Sequence, residues 1–395
     1  MTATAMDMEK TENTPGTFNL GGPHLIVSPS PHFHSAQDVT AIMRWVLIAL
    51  LPSCAAGVYF FGLPALRVLA ICLGASLLFE YLCARIMKRG SQLRDLSAAV
   101  TGVLLGMNLP SGTPWWICVI GAFFAVVVGK MIYGGIGCNP FNPALVGRVA
   151  LLIAFPAAMT AWPIPDGGRS QAQAAQKPCA VTSSTPRADD GSGVEGKYAI
   201  TCATPLKYSK AASGSHQADR LMADTPWTQC RQVKATASRA AHYWQLLLGI
   251  GKGGSLGETC ALALLLGGLL LAFLNIIRWQ IPLFYLLTVF AITGIAHLAS
   301  PTDYADPLFH LLTGGLMLGA FFMATDMVTT PLSRTGAIIF AVGCGIITAA
   351  IRLKGSYPEG VSFSILIMNA FTPLIDRFTA GKPFGMPKKK GILNP

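Results

Sequence analysis

The chain has 395 residues, of which 52% are hydrophobic and only 12% charged, with a formal net charge of +11. A soluble domain carries about 25% charged residues, so this composition, with a mean hydropathy of +0.52, excludes an ordinary soluble protein. The basic balance does not point to nucleic acid either. No basic block is interleaved with aromatics, and Lys and Arg gather at the ends of apolar runs, where they orient membrane helices.

Those apolar runs are continuous over about 20 residues, enough to cross a bilayer core of about 30 Å as a helix. A transmembrane barrel would alternate apolar and polar positions instead. The sequence therefore predicts an all-α polytopic membrane protein.

Residues 1–40 are polar and contain His24, His32 and His34 among Pro and Ser. No short apolar core followed by a small-residue cleavage site is present, so no cleaved signal peptide is read. The His-Phe-His run has no carboxylate or Cys neighbours to complete a metal site and reads as a segment leading into the first span. Five spans are predicted next: Ala41–Phe61, Ala65–Ile86, Leu96–Leu109, Trp115–Tyr133 and Pro143–Trp162. The third is short for a full crossing, which points to a tilted or broken helix.

A polar interruption, residues 163–254, then divides the chain. It is rich in Ser, Thr, Ala, Gln and Asp, and it is either a functional segment or a plain spacer. Five further spans follow: Ser255–Ile277, Ile281–Leu298, Leu308–Thr325, Thr335–Ile351 and Val361–Phe378. The expected organisation is a first membrane half over residues 41–162, a second over 255–380, and a basic tail, 381–395, with Lys388, Lys389 and Lys390.

Charge sets the expected orientation. Arg85, Lys88, Arg89 and Arg94 separate spans two and three, Arg278 separates six and seven, and Arg334 separates eight and nine. The opposite connections are nearly free of Lys and Arg, with Arg352 and Lys354 the exceptions. By the positive-inside rule both termini are cytoplasmic, and after five spans the long loop lies outside.

The halves echo each other. Thr101-Gly102-Val103-Leu104-Leu105-Gly106 in span three resembles Thr313-Gly314-Gly315-Leu316-Met317-Leu318-Gly319 in span eight. A five-span separation implies inverted repeats with a functional site at their interface. A recurrent small-residue packing face is the alternative.

None of the ten cysteines forms a C-x-x-C pair, and most lie in apolar runs as small hydrophobes. No iron–sulfur, zinc or other metal site built by this chain alone is expected. Cys179 and Cys230 share the loop, where an external location would permit a disulfide.

Ionisable residues within spans are costly and mark function. Here they are Glu80, Lys130, Arg148, Glu258 and Asp326, with Asp376 near a helix end. Glu80 and Asp376 are expected to be solvated or to pair with Arg85 and Arg377, and Lys130 to snorkel. Arg148 needs a carboxylate, a carbonyl or an anionic cofactor group.

Two irregular stretches stand out. Gly134-Gly135-Ile136-Gly137-Cys138-Asn139-Pro140-Phe141-Asn142-Pro143 precedes span five. It reads as a ligand approach with free helix-start amides, or as a tight connection. Gly253-Gly254-Ser255-Leu256-Gly257-Glu258-Thr259-Cys260 opens span six, with Ser255 or Thr259 as the expected cap and Glu258 favoured at the helix start.

These residues, with His32-Phe33-His34-Ser35, Ile42-Met43-Arg44-Trp45-Val46-Leu47-Ile48-Ala49-Leu50-Leu51-Pro52 and Phe321-Phe322-Met323-Ala324-Thr325-Asp326-Met327-Val328-Thr329-Thr330-Pro331, resemble the D-subunit family of the Rnf electron-transport complex. The likeness covers most of residues 23–380 and skips much of the loop. The related B subunit of the sodium-pumping Nqr quinone reductase shares the Gly-Glu-Thr and Ala-Thr-Asp features.

The resemblance implies FMN joined through its phosphate to a threonine at a motif like D-x-x-S/T-G-A-T. The matching run is Tyr198-Ala199-Ile200-Thr201-Cys202-Ala203-Thr204, so Thr204 is the expected flavin carrier, flanked by Thr201, Cys202 and Ala203. Tyr198 and Cys202 depart from the motif. A phosphoester tether cannot dissociate and holds the ring near its partner. The resemblance also implies a non-covalent riboflavin in the helical bundle. Gly257, Glu258, Thr259, Asn139, Asn142 and Arg148 are the further cofactor-binding candidates, and Asp326 and Glu80 the ion-pathway candidates.

The implied role is a bacterial inner-membrane subunit relaying electrons between ferredoxin and NAD, coupled to sodium or proton movement. The expected partners are A, B, C, E and G type subunits, a maturing flavin transferase and lipid. An Nqr-type quinone reductase subunit, a solute transporter or channel, and a passive scaffold are the competing readings.

Overall fold

The computed structural model describes residues 38–88, 93–163, 239–249, 254–301, 304–355 and 360–380. Tyr198, Thr201, Cys202, Ala203, Thr204, Cys179, Cys230 and the histidines at 24, 32 and 34 lie outside these residues.

The described chain is helical throughout. Helices α1 (Val39–Phe61) and α2 (Leu63–Ile86) form an antiparallel pair turned at Gly62, whose φ of +68° suits glycine. Then come α3 (Ser97–Met107), α4 (Trp115–Met131), α5 (Pro143–Ala154) and the short α6 (Pro156–Met159). The second part holds α7 (Arg239–Leu248), α8 (Ala261–Phe273), α9 (Gln280–Ala299) and α10 (Pro307–Leu312). Next is α11, in which Leu316–Leu318 runs into the π-helical turn Gly319–Met323, followed by α12 (Arg334–Lys354) and α13 (Val361–Thr379).

Among the described residues, five helices are long and apolar enough to cross a membrane: α1, α2, α9, α12 and α13. Helices α1 and α2 leave most of their apolar surface exposed, whereas α12 is half buried and central. The other expected spans are shorter, for identifiable reasons. Span five stops at Ala154 because Pro156 forces Phe155 out of helical geometry (φ −133°). Span three, at 11 residues, rises about 16 Å, half a bilayer core. Span six opens with a 3-10 turn, Leu256–Glu258, before α8. Span eight breaks at Thr313-Gly314-Gly315, where Gly314 has φ +72°.

The broken ends turn inward. Leu109 to Ser111 and Gly254 to Thr259 are buried, so their irregular backbone is enclosed by protein. Non-helical chain at membrane depth is tolerated only under that condition. Small residues bring the helices together: a Cβ on Gly102 would stand 2.9 Å from the Cys72 carbonyl of α2, and one on Gly267 only 2.3 Å from the Ala49 carbonyl of α1. Tyr285 of α9 shares its hydroxyl with Thr348 of α12 (2.7 Å) and Ser364 of α13 (3.0 Å), pinning three helices at one buried point.

Arg352, the exception in the charge pattern, is not a loop charge. It is 1% exposed on α12, and its guanidinium donates to the carbonyls of His310 and Thr313, closing the end of α10. Arg278 donates to the carbonyls of Pro331 and Leu332 at 2.7 and 2.8 Å, binding the α8–α9 turn to the start of α12.

Candidate functional site

Two groups of the expected site residues meet where the broken spans converge. The first is a buried polar centre. Arg148, one turn inside α5, donates to Oδ1 of Asn108 at the end of α3, and Asn108 donates onward to the Leu104 carbonyl (2.7 Å) and to Met323 Sδ (3.7 Å). Glu258 approaches from the 3-10 turn. Its Oε1 and Nη1 of Arg148 stand 3.6 and 3.8 Å from the point a Cβ on Gly315 would occupy. Arg148 thus finds both an amide oxygen and a carboxylate region, the partners that a buried guanidinium requires.

Gly257 closes this centre from below. A Cβ there would meet Leu318 Cδ2 at 2.6 Å and the Met107 carbonyl at 3.1 Å. Leu256 N donates to the Leu109 carbonyl at 3.3 Å, joining the two irregular segments. Thr259 and Ser255 do not cap the turn with their side chains. Thr259 Oγ1 instead donates to the Leu256 carbonyl at 2.9 Å, which corrects the capping expectation.

The second group lines a cleft of about 780 Å³, its open mouth included. Its walls come from the starts of α1, α3 and α5, the end of α4, the α8–α9 turn and the end of α11. Leu104, Ile276, Ile277, Phe321 and Phe322 give apolar surface, while Ser97, Thr101, Lys130, Asn139, Asn142 and Asp326 supply polar groups. Apolar walls with a few polar groups among them are the usual make-up of a small-molecule pocket.

Asn142 ties cleft and centre together. Its Nδ2 donates to the Met323 carbonyl (3.1 Å), while its Oδ1 accepts from Ala144 N and Leu145 N. The start of α5 therefore offers no free amide at those two positions, because a side chain of the protein already caps it; of the two readings of this stretch, that agrees with the tight connection and corrects the open helix start. Its own backbone N–H reaches the side-chain oxygen of Asn369 on α13 at 3.2 Å. Asn139 donates to the Phe141 carbonyl (3.1 Å) and faces the cleft. Asp326 accepts from Thr329 Oγ1 at 3.3 Å on the opposite side.

Glu80 and Lys130 correct a third expectation. Neither is solvated: Glu80 is fully buried, Lys130 is 2% exposed, and Nζ of Lys130 donates to Glu80 Oε1 (2.5 Å) and Ser97 Oγ (2.6 Å). Lys130 cannot snorkel because the π-helical last turns of α4 aim it inward between α2 and α3. Asp376 caps the start of the segment before α12 by accepting from Leu332 N (2.9 Å) rather than pairing with Arg377. Asn108 and Met323 escaped the sequence reading because neutral side chains in apolar runs carry no charge signal. Asn108 standing before Leu109-Pro110 at the end of a short span was the available clue.

The sequence model of the NQR2, RnfD, RnfE family matches residues 26–385, nearly the whole chain. The chain belongs to that family. Within it, the chain is 40% identical over 368 residues to the D subunit of the Na(+)-translocating ferredoxin:NAD(+) oxidoreductase complex of Acetobacterium woodii, covering 93% of this chain and 97% of that one. It is 40% identical to the D subunit of the proton-translocating ferredoxin:NAD(+) oxidoreductase complex of Clostridium ljungdahlii, over 91% of this chain and 96% of the relative. It is 41% identical to the D subunit of the ion-translocating oxidoreductase complex of Stutzerimonas stutzeri, over 88% and 93%. As a member of the NQR2, RnfD, RnfE family, the chain places its polar centre and cleft inside the matched region.

Proposed function

We propose that this protein is the membrane-embedded D subunit of an Rnf-type complex, relaying electrons between ferredoxin and NAD while the complex moves sodium ions or protons. The observation that carries this reading is end-to-end similarity at about 40% identity to the D subunits of two ferredoxin:NAD(+) oxidoreductase complexes. On this reading the chain lies in the bacterial inner membrane as ten spans in two inverted five-span repeats. Both termini are cytoplasmic and the segment 163–254 is outside. Its partners are the A, B, C, E and G type subunits, with a flavin transferase for maturation.

Two flavins complete the proposal. FMN is esterified to Thr204, and riboflavin occupies the cleft without a covalent bond. The cleft supports the second assignment through its phenylalanine and isoleucine walls and through Asn139, which lines it. When bound, a flavin supplies the one- and two-electron chemistry, and the protein contributes position and electrostatics. Asn139 and Thr101 would hold the ring's polar edge, Phe321 and Phe322 would cover its face, and the helical packing behind them would exclude water. Asp326, at the cleft and next to the end of α11, is the proposed ion-pathway residue.

Deleting this subunit from a host that makes the complex tests the assignment. Membranes then lose ferredoxin-driven NAD reduction, and this chain restores it. Undiminished activity in the deletion strain contradicts the proposal.

A further inference from the structure

One end of the second membrane half gathers segments that are far apart in the chain. Arg278, in the α8–α9 turn, donates through Nη1 to the carbonyls of Pro331 and Leu332 at 2.7 and 2.8 Å. Leu332 N donates to Asp376 Oδ1 at 2.9 Å, and Ser333 Oγ donates to Thr379 Oγ1 at 2.7 Å. The start of α12 and the end of α13 are thus held side by side. A Cβ on Gly336 would stand only 2.9 Å from Thr379 Oγ1.

The patch is basic, and its charge is not spent. Arg278, Arg334 and Arg377 are all exposed and come from three different elements. The bonds of Arg278 use Nη1 and leave Nη2 uncommitted. Neither Arg334 nor Arg377 makes an ion pair among the described residues, and the carboxylate of Asp376 already accepts the Leu332 amide. The sequence beyond Ala380 adds Lys382, Lys388, Lys389 and Lys390 and no acidic residue.

Beside these cations stand large apolar side chains with little cover. Leu332 is 77% exposed, Phe378 79% and Trp279 56%. A cation cluster alone would suit any anion, and an apolar patch alone any lipid tail. Together they stand at the ends of two helices that are long and apolar enough to cross a membrane. There they match a molecule with an anionic head and acyl chains. Guanidinium groups bind phosphate by paired, charge-assisted hydrogen bonds, and Trp favours the level of the headgroups. The basic turn after α2 is built differently. Arg85 and Lys88 lie on one stretch of chain, and Arg85 is engaged with the Tyr81 hydroxyl at 3.0 Å.

We propose that this patch is a binding site for an anionic phospholipid. Arg334 and Arg377 hold its phosphate, Nη2 of Arg278 adds a third donor, and Leu332, Phe378 and Trp279 pack along its acyl chains. The site is separate from the cleft and from the buried polar centre, and it depends on no flavin.

Native mass spectrometry of the purified, delipidated complex tests the proposal. The complex is titrated with dioctanoyl phosphatidylglycerol, with dioctanoyl phosphatidylcholine and with inorganic phosphate, and adducts are read on this subunit after its release in the gas phase. Phosphatidylglycerol is expected to bind more tightly than phosphatidylcholine. Arg334→Gln/Arg377→Gln is expected to weaken phosphatidylglycerol by about tenfold or more and to leave phosphatidylcholine unchanged. Both arginines are exposed, so the variant is expected to fold, and an unchanged subunit composition checks that. Equal binding of the two lipids, or wild-type affinity in the variant, overturns the proposal. Inorganic phosphate that displaces phosphatidylglycerol at equal concentration also overturns it, because the apolar side chains then contribute nothing. A wild-type complex that takes up no phosphatidylglycerol, with a sister subunit lost from the variant, marks the patch as a protein contact and overturns it as well.

Discussion

Arg148 of α5 donates to the side-chain oxygen of Asn108 at the end of α3, and the same guanidinium stands beside Gly315, where the Glu258 carboxylate also arrives. Four shortened spans thus meet at a single buried cation. Arg148→Met leaves the Asn108 oxygen and the Glu258 carboxylate buried without the charge they surround. Removing one member of a buried polar set costs roughly 3–5 kcal/mol. Thermal unfolding of the purified protein in detergent is expected to show a large drop in midpoint; an unchanged midpoint contradicts the role given to Arg148.

Two glycines of the same centre separate steric need from chance. A Cβ on Gly257 meets Leu318 at 2.6 Å and the Met107 carbonyl at 3.1 Å, so Gly257→Ala forces repacking at a cost of about 1–3 kcal/mol. A Cβ on Gly315 meets Glu258 and Arg148 only at 3.6 and 3.8 Å, ordinary contact distances. Gly315→Ala is therefore expected to fold with nearly wild-type stability. Comparing the two variants by thermal unfolding checks the packing directly, and equal losses refute it.

Much of this arrangement could be read from charge and length. Arg148 and Glu258 declared themselves by lying in apolar runs, and the 11-residue third span declared a broken helix. Lys130 and Glu80 were visible but not their pairing, because they are 50 positions apart and depend on a π-helical turn. Asn142 was visible as a helix start. Its tie to Met323, 181 positions away, is a tertiary fact with no local trace. The Thr101 and Thr313 echoes look alike in sequence, yet α3 continues through Thr101 while α10 ends at Thr313. The difference lies in the backbone: Thr313 is already extended (φ −109°), and Gly314 after it takes φ +72°.

Asp326 stands at the cleft with its carboxylate held by Thr329 at 3.3 Å. As the proposed ion-pathway residue it contributes charge that Asn cannot replace. In membrane vesicles, Asp326→Asn is expected to abolish ion uptake while ferredoxin-driven NAD reduction continues. Uptake equal to wild type removes Asp326 from the pathway.

The central claim is that electrons pass through a flavin bonded to Thr204. In-gel fluorescence of the denatured protein tests it most directly, because denaturation strips any non-covalent flavin from the cleft. With a flavin transferase co-expressed, the wild-type band is expected to fluoresce and the Thr204→Ala band to be dark. A dark wild-type band, or a Thr204→Ala band as bright as wild type, contradicts the account.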